Sequence, residues 1–214
     1  MDEDLSIINA NTRNEKIRNF FVNNKNKIIF GLLVLAIAVI SVYVFDKYTN
    51  NKKKQISDNF NLITIEYTES TKEKTANDLI EIINKKDPTY SPLSLYFIID
   101  NNLLIDQARV NSLFNVLIEN TTLDEEVRNL IIYKKALYNA DNAQESDLLN
   151  MLNPLINSKS VWKSHALYLM AEYFYAKNQK QKAKEFFNQI VTLENPNLDV
   201  RLQAEKRLNR DLSE

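Results

Sequence analysis

The sequence predicts an all-α protein in which one N-terminal transmembrane helix precedes a stack of helical hairpins. Three observations carry that expectation. Residues 28–45 form an uncharged apolar run, the shorter segments after it repeat apolar residues at steps of three and four, and the 214 residues include one glycine. Without glycine the tight Asn-Gly turns of a sheet are unavailable. Helices joined by short polar turns fit the abundance of Lys, Glu, Leu, Ile and Asn.

The run IIFGLLVLAIAVISVYVF, Ile28 to Phe45, lies between Lys27 and Asp46. Eighteen helical residues rise about 27 Å, enough to cross a hydrocarbon core. Tyr43 and Tyr48 stand where interfacial aromatics are expected, and lysines flank both ends. A cleaved signal peptide would have a shorter apolar stretch and small residues at its end. This run ends in Tyr43-Val44-Phe45. The preceding stretch Glu15 to Lys27 has helical spacing, with Ile17, Phe20 and Phe21 on one face. It either lies at the membrane interface or simply extends the span. The flanking charges are nearly balanced. A short polar tail before a first span places the tail in the cytoplasm and the larger C-terminal part in the periplasm of a bacterial inner membrane.

After Lys47, Ile56, Phe60, Ile63 and Tyr67 continue one amphipathic helix. Thr75 to Lys86 is the second helix, stopped by Asp87-Pro88. Pro92 opens the third, Asp106 to Glu119 is the fourth, and Asp124 to Ala140 the fifth, started by a capping box over Thr122-Leu123-Asp124-Glu125. Residues 145–157 form a sixth that Pro154 interrupts. Ser164 to Lys177, Lys180 to Leu193 and Leu198 to Leu208 complete the series.

Paired helices invite a search for a period near 34 residues. Ser164 to Asn197 has the large and small positions of a tetratricopeptide unit: Leu167, Met170, Ala171 and Phe174 on its first helix, Ala183, Phe187 and Ile190 on its second, and Pro196 at its end. A copy 35 residues earlier has Ile132, Ala136 and Asn139, then Leu148, Leu152 and Leu155. Asn139 stands where an aromatic is wanted. A weaker third copy has Val110, Phe114 and Leu117. Each unit alone leaves an apolar face open, and stacking buries it. The organisation is a tail (1–27), the span (28–45), linking amphipathic helices (46–87) and a tetratricopeptide-like repeat domain (88–214), an α-solenoid.

Composition excludes several chemistries. Phosphate-binding glycine loops and nucleophile elbows need glycines that are missing. With no cysteine and one histidine, Cys nucleophiles, Cys zinc sites, disulfides and His-pair metal motifs fall away. A net charge of −1 argues against a nucleic-acid partner. No convergent catalytic set is legible, and no cofactor, metal or small-molecule substrate is expected. Asp124, Glu125 and Glu126 read as favourable charge at a helix N-terminus. Lys52, Lys53 and Lys54 read as a membrane-surface patch or a solvated helix face. The candidate partner-binding groove is His165, Tyr168, Glu172 and Tyr175, spaced three, four and three on one helical face. The same face equally suits contact with the preceding repeat. Trp162 reads as a staple between repeats or, less simply, an anchor for a partner.

Several short motifs carry a resemblance: Asp2-Glu3-Asp4 before the basic tail, Ser91-Pro92-Leu93 opening a hairpin, Leu152-Asn153-Pro154-Leu155, and Ala183-Lys184-Glu185-Phe186-Phe187. With the tail, span, linking helix and degenerate repeat domain, the chain resembles the YfgM-like family over nearly its whole length. That resemblance implies an ancillary subunit of the SecYEG translocon, its repeat domain periplasmic and associated with periplasmic chaperones. The expected function is a noncatalytic scaffold for envelope proteins. The alternative expectation is a repeat-domain adaptor in cell-envelope assembly or division.

Overall fold

A computed structural model describes residue 13 and residues 15–212. Asp2, Glu3 and Asp4 lie outside the described residues. The described chain is all-α: a helical stretch at residues 15–23, then α1 (Lys25–Ile65), a 3-10 turn (Glu69–Thr71), α2 (Lys72–Asn84), α3 (Tyr90–Asp100), α4 (Gln107–Asn120), α5 (Glu125–Asn139), α6 (Glu145–Ile156), α7 (Lys163–Ala176), α8 (Lys180–Val191) and α9 (Leu198–Asp211). The chain divides into two units, residues 1–55 and 56–214.

In the first unit, α1 is long and apolar enough to cross a membrane by length and composition, and its apolar window is unburied. Phe30, Leu32, Val42 and Phe45 stand 62–70% exposed around the helix. A soluble core helix would hide such a surface. A Cβ added at Gly31 would meet nothing within 4 Å, so no close approach requires this glycine. Backbone bonds from Asn24 N–H to Phe20 O and from Ile28 N–H to Asn24 O carry the helical pattern across Asn24 into α1.

In the second unit, each helix packs mainly on its next neighbour or the next but one. Two apolar clusters fill it. The first runs from Ile56 to Ile131 around Leu79, Ile82, Ile83, Leu95, Ile98, Phe114 and Leu117. The second runs from Ala136 to Leu212 around Leu148, Leu152, Leu155, Met170, Phe187 and Ile190. The apolar positions of the three copies are thus buried, except Ile132, which is half-buried. In the middle copy, Ile131 is the fully buried neighbour. The sequence places linking helices over 46–87. The packed unit begins at Ile56 and takes in all of α2, with Ile56, Ala76, Leu79, Ile82 and Ile83 in its first cluster.

Several side-chain bonds between elements span close to the expected period, while others, such as Asn111–Asn139 and Lys135–Asn115, are shorter at 28 and 20 residues. Tyr90–Ser57, Arg109–Asn77, Gln107–Asn139, Ser160–Glu126, Lys182–Glu145, Asn197–Ser164 and Arg207–Glu172 join residues 32 to 37 apart. Asn139 occupies the aromatic position with an amide network. Its side chain donates to Asn111 and to the Lys135 carbonyl and accepts from Asn111 and Gln107. A buried polar group so satisfied costs little.

One detail differs from the sequence expectation. No capping box starts α5: Asp124 itself is the N-cap, its carboxylate accepting from Glu126 N–H. Its extended backbone leaves Thr122 outside the helix. Pro154 lies inside α6, which runs on to Ile156 as the sequence reading of 145–157 expects. The proline leaves the Asn150 carbonyl without its helical donor and crowds it, a cost that burial of Leu152 and Leu155 on either side offsets. Without glycine, turns after helices are made by Lys86, Asn102 and Asn178, at φ 55°, 50° and 60°. Asn is the least costly substitute in the left-handed region. At Asn102 and Asn178 the chain forms a full Schellman closure, with Leu103 N–H reaching Ile98 O and Gln179 N–H reaching Phe174 O.

Candidate functional site

Helix α7 carries the four candidate residues, and its burial pattern explains their register. Ala166, Leu167, Met170, Ala171 and Phe174 are inside. His165, Tyr168, Glu172 and Tyr175 are all half-buried on the remaining face. They separate into two groups.

His165 turns toward α5. Its ring lies 5.1 Å from Trp162 and 5.8 Å from Tyr133, and Tyr133 and Trp162 stack at 18°. Trp162 Nε1 donates to the Glu126 carbonyl, and Ser160 Oγ donates to the Glu126 carboxylate at 2.7 Å. Trp162 therefore ties the start of α7 to the first turn of α5. Glu126 does more than sit near a helix dipole, since it receives both bonds. His165 Nδ1 is buried without a partner. Burial lowers the His165 pKa and favours the neutral ring, and burial raises that of Tyr133.

Tyr168, Glu172 and Tyr175 gather around Arg207 of α9. Arg207 Nε donates to Glu172 Oε1 at 2.7 Å and Nη2 donates to the other oxygen. Nη1 donates to Asp211 at 2.7 Å, and the guanidinium lies 4.5 Å from the Tyr175 ring centre. A planar cation held by a fork on one side and an aromatic face below is fixed in orientation. Hydrogen bonding to Glu172 raises the Arg207 pKa, and bonds from Arg210 and Arg207 hold Asp211 below the usual carboxylate range. Tyr168 packs edge-on against Phe187 at 5.4 Å, and burial followed by the Glu172 charge raises its pKa. Tyr168, Glu172, Gln203, Lys206, Arg207 and Arg210 line a shallow open depression.

A third link of the same kind lies further back. Lys134 of α5 sits 4.4 Å over the Tyr96 ring of α3, and burial pushes the Tyr96 hydroxyl up to about 12. Alternate helices α3, α5, α7 and α9 are thus bridged in turn by an aromatic ring and a cation, by stacked aromatics, and by a cation with a carboxylate. Sequence reasoning missed Arg207, Asp211, Tyr133 and Lys134. The 35-residue step from Glu172 to Arg207 was the signal that could have found the first. Comparison with protein-family models, curated proteins and solved structures returns no match.

Proposed function

We propose that the protein is a noncatalytic scaffold of the bacterial inner membrane, anchored by Ile28 to Phe45, that binds envelope proteins through a periplasmic tetratricopeptide-like domain. The observation that carries this reading is a helix with apolar side chains exposed on every side, in a chain whose second unit is a packed series of helical hairpins. A surface of that kind needs a hydrocarbon environment. The aromatic and polar side chains of Tyr168, Glu172 and Tyr175 suit a protein partner, since such mixtures recur at interface cores. The likeness to the YfgM-like family supports the SecYEG translocon and a periplasmic chaperone as partners, with the N-terminus in the cytoplasm.

Photocrosslinking from position 168 or 175 in native membranes tests the partner. Adducts with a translocon subunit or a periplasmic chaperone are expected. Adducts with neither, at normal expression, would remove the translocon reading. A reporter active only outside the cytoplasm, fused after Glu214, tests orientation. Silence there with activity of a cytoplasmic reporter reverses it.

A further inference from the structure

Beyond the apolar run, α1 carries Lys47, Lys52, Lys53 and Lys54. All four are exposed, as is the whole of residues 46–55. Among the described residues none of their ammonium groups has a hydrogen-bond or ion-pair partner. The nearby Asp46 carboxylate accepts instead from the Asn50 side chain at 3.1 Å. At about 100° per residue, Lys47 and Lys54 share one face, while Lys52 and Lys53 stand on the others. The lysines therefore ring the helix.

Their height matters as much as their angle. Lys47 is two residues past Phe45, a rise of about 3 Å, and Lys52 to Lys54 are about 10–14 Å past it. The headgroup layer is about 5–8 Å deep on each side of the hydrocarbon. Lys47 thus lies within that layer. The other three lie just outside it, within a Debye length of the phosphates, and their flexible stems can lean back toward them. Tyr48 lies in the same layer as Lys47.

We infer that Lys47, Lys52, Lys53 and Lys54 form a collar that selects anionic phospholipids around the C-terminal end of the span. The inference rests on the membrane-anchor reading and adds to it a lipid preference with named residues. Each lysine near an anionic surface contributes a factor of about five at moderate salt. Since four lysines share the same lipids and the same counterions, their factors do not multiply in full.

The test uses the full chain reconstituted in phosphatidylcholine vesicles containing spin-labelled phosphatidylglycerol or spin-labelled phosphatidylcholine. The fraction of each probe immobilised by protein gives their relative association constant. A preference of about fivefold or more for phosphatidylglycerol is expected, falling at high salt. In a K47Q/K52Q/K53Q/K54Q variant it should fall to about twofold or less, and in the corresponding four-arginine variant it should persist. No preference in the wild type overturns the collar. So does a preference that survives the glutamine variant, or one abolished instead by K25Q/K27Q. Extraction of the wild type by alkali from membranes would overturn the anchor reading, and the collar with it. Retention in the membrane without lipid preference overturns the collar alone.

Discussion

Two junctions of the hairpin stack do the same job with opposite chemistry. Between α5 and α7 the contact is mainly aromatic: Tyr133 stacked on Trp162, His165 against both, and an indole N–H bonded to a main-chain carbonyl, with the Glu126 carboxylate held by a neutral Ser160 hydroxyl. Between α7 and α9 it is charged: Arg207 forked onto Glu172, bonded to Asp211, and laid on Tyr175. The geometry of stacking asks only that neighbouring helices be held in register. Area burial satisfies it in one place and a fixed cation in the other. What differs is the response to solvent, because an aromatic contact is indifferent to salt whereas a half-exposed ion pair is not.

The largest expected effect sets the scale for both junctions. Phe187 is fully buried behind α7 and meets Tyr168 edge-on. Phe187→Ala should cost about 3–5 kcal/mol in denaturant unfolding and loosen both junctions together. Next, Trp162→Ala should cost about 2 kcal/mol, since the ring is half-buried and its one bond is to a carbonyl. That loss should be the same at low and high salt. Arg207→Ala should cost about 1 kcal/mol, and raising the salt should shrink the difference from wild type. Equal salt sensitivity of the two variants would break the contrast.

The smallest effect is one of pH. The folded His165 binds a proton less readily than the unfolded chain, whose histidine titrates near pH 6.5. As pH falls below that value the unfolded state takes up the proton first, so stability falls with it. Asp211 is depressed in the fold, and its contribution is present above about pH 4 and lost as pH falls through the lower folded value. Melting temperature followed from pH 7 to 5 should therefore decline in part through His165, and His165→Gln should flatten that part. Asp211→Asn should leave this window unchanged and alter only the more acid one.

Much of the fold was legible because burial in stacked hairpins is periodic. Leu167, Met170, Phe174, Ala183 and Phe187 were readable as core from spacing alone, and each is buried. Among the described residues the helices α1 to α9 follow the same apolar steps. Their ends were less legible, since caps depend on single side chains: Thr122 and Asp124 are both good N-caps, and only backbone dihedrals decide between them. The candidate face was half legible. Helical register puts His165, Tyr168, Glu172 and Tyr175 on one side of α7. Which neighbour each one meets depends on helices 19 to 35 residues away. Asn139 shows the same limit in the other direction, because a mismatch to an aromatic position is resolved by amides on α4.

The local order of contacts has a consequence for how the chain is made. Since each helix of the second unit packs mainly on its next neighbour or the next but one, no segment must wait for a distant part of the polypeptide. Emerging N-terminus first, α2 and α3 can close as soon as both are clear, and every later helix docks on a surface already formed. The second unit would then acquire structure progressively from its N-terminal end. Helix α9 docks through Val200, Ala204, Leu208 and the Arg207 fork, with Leu212 just past its end, and it closes the process.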